Sequence, residues 1–151
     1  MVKLDLMNSD DYQKYITSAI ESYAEEKVLS GNWNEEESIM KAKEEYTMLL
    51  PKGEKTENNY LYTIRKNDKA IGVIWFALKS QNEGFIYDIN ILEEHQGFGY
   101  AKEAMKQIEA VGQKLGINKI GLHVFGQNKI ARGLYEKLGY QDTNVLMAKN
   151  I

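Results

Sequence analysis

The sequence predicts a single mixed α/β domain over residues 1–151, an α+β arrangement in which a central twisted mixed sheet is flanked by helices. The first observation is the spacing of the apolar residues. They recur at helical spacing before Pro51 and alternate with polar residues, as in strands, after Tyr60. Another is the order of the predicted elements: a strand, two helices and antiparallel strands, followed by β-α-β-α-β. A helical crossover to a strand at residues 119–124 also implies a parallel pair at that point.

The N-terminal third is predicted to be largely helical. Apolar and polar residues alternate in Val2–Leu6, which indicates a short first strand. Asn8 and the polar residues after it can cap a helix that runs to about Leu29. Gly31-Asn32 breaks the chain, and a second helix, acidic at its start, is predicted over Asn34–Leu50. The run Pro51-Lys52-Gly53 ends that helix.

In the middle of the chain, apolar and polar residues alternate as they do in β-strands. Tyr60–Arg65 and Ala70–Leu78 are predicted strands, and Asn67-Asp68-Lys69 supplies the residues of a hairpin turn between them. Phe85–Leu92, rich in β-branched and aromatic residues, is predicted as the next strand. These strands follow one another along the chain, so we expect neighbouring strands to pair antiparallel.

The C-terminal third returns to alternating helices and strands. Ala101–Leu115 carries an apolar stripe and indicates a helix, with Gly116 placed to end it. Lys119–Val124 is a predicted strand and Asn128–Leu138 a predicted helix. The segment from Tyr140 to about Ala148 is predicted to be a closing strand.

Composition limits the functions that the chain can have. Its 151 residues include no cysteine, which excludes disulfides, a cysteine nucleophile and thiolate metal sites, and no metal is expected. The formal net charge of −3 argues against a general nucleic-acid binder, because such proteins usually carry a basic surplus. No apolar run is long enough to cross a bilayer, and Met1–Asp11 lacks the apolar stretch of a secretory signal. We therefore expect a cytoplasmic protein without a nucleic-acid or membrane partner.

The most informative stretch is the turn between the strand at Phe85–Leu92 and the helix after it. Gly97 and Gly99 allow unusual backbone angles next to a helix N-terminus, where free N–H groups and the helix dipole attract phosphate. A Walker A loop would need Gly-Lys-Ser/Thr, and a dinucleotide fingerprint would need a third glycine where this chain has Lys102. Two interpretations remain: a phosphate or pyrophosphate grip of another kind, and a tight turn that binds nothing.

A second motif lies at the last predicted helix, in the pattern Asn128-x-x-Ala131-x-x-Leu134-Tyr135-x-x-x-Gly139-Tyr140. Asn128 can cap the helix, and the small side chain of Ala131 leaves room for a ligand. Tyr135 lies two turns after Asn128 on nearly the same face, so its phenol can point into the same cleft. The alternative for Tyr135 is a half-buried aromatic residue that packs beneath the sheet.

Together the two motifs resemble the hallmarks of the GNAT (GCN5-related N-acetyltransferase) family. Gln96-x-x-Gly99-x-Ala101 is similar to the Arg/Gln-x-x-Gly-x-Gly/Ala signature of that family, and the order of elements is similar over most of the chain. One departure is Glu93-Glu94, where a proline often stands, and it affects the stiffness of the turn. The resemblance implies a GNAT-like acyl-CoA N-acyltransferase fold with acetyl-CoA as cosubstrate.

The resemblance also assigns roles to residues at the matching positions. The backbone amides of the turn would hold the pyrophosphate of coenzyme A, and the strand before it would offer its backbone groups to the pantetheine arm. Tyr135 would protonate the departing thiolate, and a strand N–H could bind the carbonyl oxygen as it gains charge. The coenzyme-binding residues so implied are Ile89, Asn90, Ile91, Gln96, Gly97, Phe98, Gly99, Tyr100, Ala101, Lys102, Asn128, Ala131 and Tyr135.

Several residues could take the proton from the acceptor amine. His123 lies before Asn128, where some members of the family carry a catalytic glutamate, and its ordinary pKa suits a base. The alternative is a strand histidine held by hydrogen bonds. Asp88 and Glu83 are further candidates, whereas His95 is better placed to cap or to contact phosphate. The basic residues near the motifs could neutralise phosphates or be ordinary solvated side chains: Lys102, Lys106, Lys129 and Arg132.

We therefore expect transfer of an acetyl group from acetyl-CoA to a primary amine, by direct attack in a ternary complex, since no cysteine or Ser-His-Asp set suggests a covalent intermediate. The alternatives are a non-catalytic module that binds or senses acyl-CoA and a structural protein of the same topology. The acceptor could be a small molecule or a peptide, and a homodimer is left open.

The first two helices and their connection carry acidic and aromatic side chains. These would suit a cationic acceptor, or they could form a solvated face. The residues are Tyr23, Glu25, Glu26, Trp33, Glu35, Glu36 and Glu37.

Overall fold

The architecture is a five-stranded sheet with helices on both faces, and the computed structural model describes all residues, Met1–Ile151. The strands, in the spatial order β1-β2-β3-β4-β5, are β1 Lys3–Leu6, β2 Asn59–Lys66, β3 Lys69–Leu78, β4 Glu83–Ile91 and β5 Lys119–Leu122. The α-helices are α1 Ser9–Leu29, α2 Glu35–Leu49, α3 Tyr100–Lys114 and α4 Lys129–Lys137. The first three strand pairings are antiparallel and that of β4 with β5 is parallel, which confirms the predicted mixed sheet.

Side-chain caps mark the start of three helices, as the sequence indicated. The Asn8 side chain accepts from the Asp11 N–H, and Asp11 accepts from the Asn8 N–H in return, which completes a capping box for α1. The Asn34 side chain accepts from the Glu37 N–H and caps α2, and the Asn128 side chain accepts from the Ala131 N–H and caps α4. Helix α3 differs because its N-cap is Gly99, which has no side chain to offer. Its first N–H groups therefore need another partner.

Two hydrophobic clusters pack on opposite faces of the sheet. On one face, Ile74 and Phe76 of β3 pack with Met105 and Ile108 of α3. On the other face, Trp75 of β3 lies among residues of α1 and α2. The Trp75 Nε1–H donates to the Asn59 Oδ1 at 2.8 Å, so the polar atom of this buried ring is satisfied. The alternation along β3 thus fixes which helices cover which face.

The pairing of β3 with β4 contains a β-bulge. Trp75 lies opposite Asp88 and Phe76 lies opposite Ile86, so Tyr87 has no partner residue across the strand. A bulge turns two successive side chains to nearly the same face and bends the strand. Accordingly Tyr87 stacks on Trp75 at a ring-centroid distance of 4.5 Å, and Asp88 reaches toward α1 on that same face.

The sequence overestimated the last strands. β5 ends at Leu122 rather than Val124, and residues 141–151 have no secondary structure and are exposed. The predicted closing strand from Tyr140 to Ala148 is therefore wrong. Its residues have strand character, but a strand requires a hydrogen-bonded neighbour, and none of them pairs with β5.

None of the helices combines the length and the apolar run needed to cross a bilayer.

Gly72→Ala should lower the free energy of unfolding by about 1–3 kcal/mol, the usual effect of overpacking. The added Cβ would lie 2.3 Å from the carbonyl oxygen of Asn90 on β4, and a backbone oxygen in a sheet cannot swing away. Gly133→Ala in α4 is the control, because its Cβ meets nothing within 4 Å, and we expect a gain of about 0.5–1 kcal/mol. Urea denaturation measures both, and an unchanged Gly72→Ala midpoint would contradict the close approach.

Candidate active site

A cavity of about 730 Å³ lies where β4 and β5 part. The two strands pair only through Glu83–Ile86 and Lys119–Leu122, and β4 then continues to Ile91 without β5 beside it. The pairing stops at the residue before the bulge, where β4 changes direction. The cavity walls come from α1, α2, β4, the segment after β5 and α4, and its size suits a small-molecule ligand.

Asp88 is the carboxylate at the wall formed by β4. The Tyr15 hydroxyl of α1 donates to its Oδ2 at 2.7 Å. Burial raises the pKa of Asp88, and the hydrogen bonds from Tyr15 and from the Ile89 N–H offset part of that rise. Its negative charge in turn helps to raise the pKa values of Glu26, Tyr46 and Tyr135, after the larger effect of their own burial. Asp88 is thus the electrostatic centre of the cavity.

Helix α4 brings Asn128, Ala131 and Tyr135 to the opposite wall, as its motif indicated. The Asn128 Oδ1 accepts from the Ala131 N–H at 3.2 Å, which leaves the side-chain amide group free to donate. Burial and the charges of Asp88 and Glu26 raise the pKa of Tyr135 to about 12. The phenol therefore keeps its proton at any ordinary pH.

His123 lies on the segment after β5, at an exposed part of the cavity wall. Burial and the positive charge of Lys27 lower its pKa, so its imidazole is neutral at pH 7. Its ring packs edge-on against Phe125, with a centroid distance of 4.9 Å. His123 is therefore available as a base, but it is farther from the protected interior than Asp88.

The structure adds site residues that the sequence did not single out as such. Tyr15 and Tyr46 line the cavity from α1 and α2, and Glu45 accepts from the Tyr23 hydroxyl at 2.6 Å. Of the acidic and aromatic residues expected near the acceptor, only Tyr23 and Glu26 reach the cavity. Helical spacing could have placed Tyr15 and Tyr46 on buried faces, but no local signal shows which of those faces meets a cavity.

The cavity is acidic. Glu26, Glu45 and Asp88 line it, and no lysine or arginine does. The rest of the wall is largely apolar and aromatic, so a cation would meet both carboxylate charge and ring faces there.

The glycine turn lies beyond the end of β4, outside the cavity lining. Gly97 and Gly99 have φ of 87° and 83°, and a Cβ on either would meet nothing within 4 Å. The backbone N–H groups of residues 97–102 donate to no acceptor in the protein. Six consecutive free donors at the positive end of a helix form a site that fits a pyrophosphate.

Gln96 holds the turn in place through its side chain, whereas its neighbours offer free backbone N–H groups. Its side-chain Nε2 donates to the Ile91 carbonyl oxygen at 2.8 Å, which ties the turn to the end of β4. Ile91 itself is buried in the core, Ile89 is partly buried against it, and Asn90 is exposed at the strand edge. Both Ile89 and Asn90 line the cavity, so β4 connects the turn with Asp88.

Other sequence candidates lie away from the cavity. Glu83 is at the opposite end of β4, where its Oε1 lies 3.9 Å from the Nζ of Lys119, and it does not line the cavity. Lys102, Lys106 and Lys129 are exposed helix residues, and Arg132 pairs with Asp142 at 3.6 Å. The Nε2 of His95 is buried without a hydrogen-bond partner. No group of three or more His, Cys, Asp or Glu side chains has an arrangement that could hold a metal ion.

A sheet that opens beside an uncapped helix N-terminus, with an Asn-to-Tyr helix across the opening, is the architecture of the GNAT class of acetyltransferases. The sequence model of the acetyltransferase (GNAT) family matches residues 17–140, which is most of the chain. The chain belongs to this family.

Similar proteins extend that likeness to the full length. The uncharacterized N-acetyltransferase YycN of Bacillus subtilis (strain 168) is 38% identical over 154 residues, covering 99% of both chains, and the uncharacterized N-acetyltransferase YdgE of the same organism is 30% identical over 98% of this chain and 97% of its own. The YycN crystal structure gives a TM-score of 0.97 at 37% identity, over 100% of this chain and 99% of that one. The PaiA N-acetyltransferase of Thermoplasma acidophilum, in complex with coenzyme A, shares the fold with a TM-score of 0.73 at 17% identity, over 96% and 92% of the two chains.

Asp88→Asn should make the protein more stable at neutral pH. The raised pKa means that the folded state binds the Asp88 proton more tightly than the unfolded state, so wild-type stability falls as pH rises through that raised pKa. The asparagine cannot ionise, and its oxygen can still accept from Tyr15. The stability difference between variant and wild type should therefore grow from pH 3 upward and level off above the raised pKa.

Thermal denaturation between pH 3 and pH 8 measures this difference. Asp142→Asn is the control, since that carboxylate is exposed and should show little effect. A destabilised Asp88→Asn variant at pH 7 would contradict the burial argument.

Proposed function

We propose that this protein transfers an acetyl group from acetyl-CoA to a primary amine, by direct attack in a ternary complex. The observation that carries the proposal is the combination of six free backbone donors at residues 97–102 with an acidic cavity along the strand that leads to them. The first feature fits the phosphates of the donor, and the second fits a cationic acceptor. Strand β4 joins the two.

The donor would lie along β4, from the turn toward Asp88. The backbone N–H groups of residues 97–102 would hold the pyrophosphate, and the unpaired edge of β4 at Ile89 and Asn90 would receive the pantetheine arm by β-augmentation. The free amide of Asn128 faces that path from α4. The PaiA N-acetyltransferase, which shares the fold, is in complex with coenzyme A, and this supports a coenzyme A thioester as the donor. Acetyl-CoA supplies the activated acetyl thioester.

The acceptor would enter from the side of α1 and α2. Glu26 and Asp88 offer negative charge to an ammonium group, and beside them the rings of Tyr23 and Phe125 face the ammonium of Lys27, 5.7 and 6.0 Å from its Nζ. These residues support a cationic primary amine, carried by a small molecule or a peptide.

Asp88 is our candidate for the group that receives the ammonium proton. Its raised pKa makes it a better base than an ordinary aspartate, and its charge is felt at Tyr135. His123, with its lowered pKa, is the alternative at the exposed side. The amine nitrogen forms a bond to the acetyl carbon while the carbon–sulfur bond breaks, and the phenol of Tyr135 gives its proton to the leaving sulfur. The second proton that the nitrogen loses on becoming an amide then returns the Tyr135 phenolate to the phenol.

Gly99→Ala is expected to weaken acetyl-CoA binding at least about tenfold, since a left-handed residue with a Cβ is strained by about 1–2 kcal/mol and shifts the turn. Isothermal titration calorimetry of the wild type should show binding below millimolar acetyl-CoA. Gly116→Ala is the matched control, because it has φ of 86°, equally open surroundings and a place at the other end of α3. No binding by the wild type, or equal affinities of the two variants, would reject the donor site.

Tyr135→Phe should lower kcat by about 10²–10⁴-fold with little change in acetyl-CoA affinity, because only the proton donor is lost. A thiol-release assay with a panel of primary amines measures turnover. Tyr140→Phe is the control: that ring packs edge-on against Tyr135, but its hydroxyl donates to Glu109 outside the cavity. Wild-type turnover by Tyr135→Phe would exclude the acid role.

The same assay separates the two candidate bases and the alternative function. Loss of the acid limb of the kcat/KM profile in Asp88→Asn, but not in His123→Gln, is expected if Asp88 is the base. The reverse result would assign the proton to His123. If the wild type bound acetyl-CoA but no amine released thiol, the alternative of a non-catalytic acyl-CoA-binding or sensing module would hold.

A further inference from the structure

Lys27, in the last turn of α1, places a cation at the rim of the acidic cavity. Its Nζ lies 5.2 Å from the ring centroid of Trp33, 5.7 Å from that of Tyr23 and 6.0 Å from that of Phe125. Tyr23 and Phe125 line the cavity, whereas Lys27 and Trp33 do not. The ammonium therefore lies beside the cavity, on the rings that form its edge.

The rings and the backbone around Lys27 are held in place. The Lys27 carbonyl oxygen accepts from the N–H groups of Asn32 and Trp33 at 3.0 and 3.2 Å, so the connection to α2 folds back over the end of α1. Tyr23 packs edge-on against Trp33 at a centroid distance of 5.6 Å, and its hydroxyl is fixed by Glu45. The negative end of the helix dipole and the ring faces both favour a cation at this point.

The Lys27 ammonium has no anionic partner in the chain. Its Nζ takes part in no ion pair and in no side-chain hydrogen bond. Lys41 differs, because its Nζ lies 5.8 Å from the same Trp33 ring but is paired with Glu37 at 2.8 Å. The two lysines share one ring, and only Lys27 keeps a charge that no carboxylate neutralises.

The charge of Lys27 acts on the cavity wall. After the larger effect of burial, it lowers the pKa of His123, which lines the cavity next to Phe125. The carboxylates of the cavity lie on the other walls, on α1, α2 and β4. The site is therefore bipolar, with carboxylates inside and a free ammonium at the rim. A molecule that complements both parts carries a cation and an anion.

We propose that Lys27 is an anion subsite of the acceptor cavity, so that the acceptor is an amine that also carries a carboxylate, such as a free amino acid. The inference rests on the proposed acetyl transfer, which places the amine of the acceptor at Asp88. The carboxylate of the acceptor then supplies the anion that Lys27 lacks. A second ammonium at the rim is repelled by Lys27, so the same residue disfavours diamines.

Turnover with matched acceptors tests the subsite. In the thiol-release assay, ω-amino acids of increasing chain length, starting from glycine, are each compared with the corresponding carboxamide and diamine. At one chain length or more, kcat/KM should be at least about tenfold higher for the carboxylate than for the carboxamide, the effect of one charged hydrogen bond, and the diamine should be the poorest. Amines that are acetylated with no preference for the carboxylate at any length would overturn the subsite and leave acetyl transfer intact.

Lys27→Met should remove the preference, mainly through a higher KM for the carboxylate, because methionine keeps an apolar stem on the rings and lacks the charge. Lys27→Glu should reverse it in favour of the diamine. Lys41→Met is the matched control, since it removes from the same Trp33 ring a lysine that Glu37 already neutralises, and the preference should remain. A preference that survives in Lys27→Met would show that another group reads the carboxylate. Circular dichroism confirms that each variant is folded.

Binding measured without turnover separates the subsite from the reaction. In two-dimensional proton–nitrogen NMR spectra, amino acids of the series should shift the indole N–H signal of Trp33 in the wild type and leave it unchanged in Lys27→Met, with Trp33→Phe used to assign the signal. If this shift occurs while no amine releases thiol, the subsite stands and the proposed acetyl transfer fails. If no amino acid of the series shifts the wild-type signal, the subsite is rejected.

Discussion

The extra residue in β4 is the constraint on which the site depends. Tyr87 has no partner across β3, and so Tyr87 and Asp88 both face α1 instead of alternating. Tyr87 stacks on Trp75, which anchors the bend, and Asp88 reaches Tyr15. The pairing with β5 stops one residue before the bulge, so the same irregularity opens the sheet and places a carboxylate in the opening. A regular strand would turn one of these two side chains toward the α3 face.

A carboxylate in this position would be unfavourable without specific support. Burial raises its pKa, and one hydroxyl and one backbone N–H stabilise the charge that remains. Across the cavity, burial of the ring and then the charges of Asp88 and Glu26 raise the pKa of Tyr135 to about 12. A base and an acid that act in one reaction need opposite proton occupancy at the same pH. Tyr135 meets the acid's part of that need, because its phenol keeps its proton at neutral pH, and Asp88 is the carboxylate across the cavity from it.

Sequence reasoning succeeded where the cause is local. The caps of α1, α2 and α4 each depend on one asparagine and the three residues after it, and all three asparagines cap as expected. It failed where the cause is a partner distant in sequence. The bulge depends on the register of β3 with β4, and the predicted closing strand fails because none of its residues pairs with the free edge of β5. Gln96 is an intermediate case, since its motif was recognised but its side chain binds the end of β4.

The same distinction explains why the sequence alone supports a proposal for the donor and none for the acceptor. Holding a pyrophosphate needs only backbone N–H groups, which every residue except proline has, together with two glycines that keep the approach open. Such a site consists of six consecutive residues, so it can be recognised in the sequence. The cavity proposed for the acceptor is made of side chains from Tyr15 to Tyr135, and the sequence around each of them is equally typical of a core or surface residue. Only their assembly shows three carboxylates with no lysine or arginine, and that imbalance is a physical reason for the cavity to select a cation.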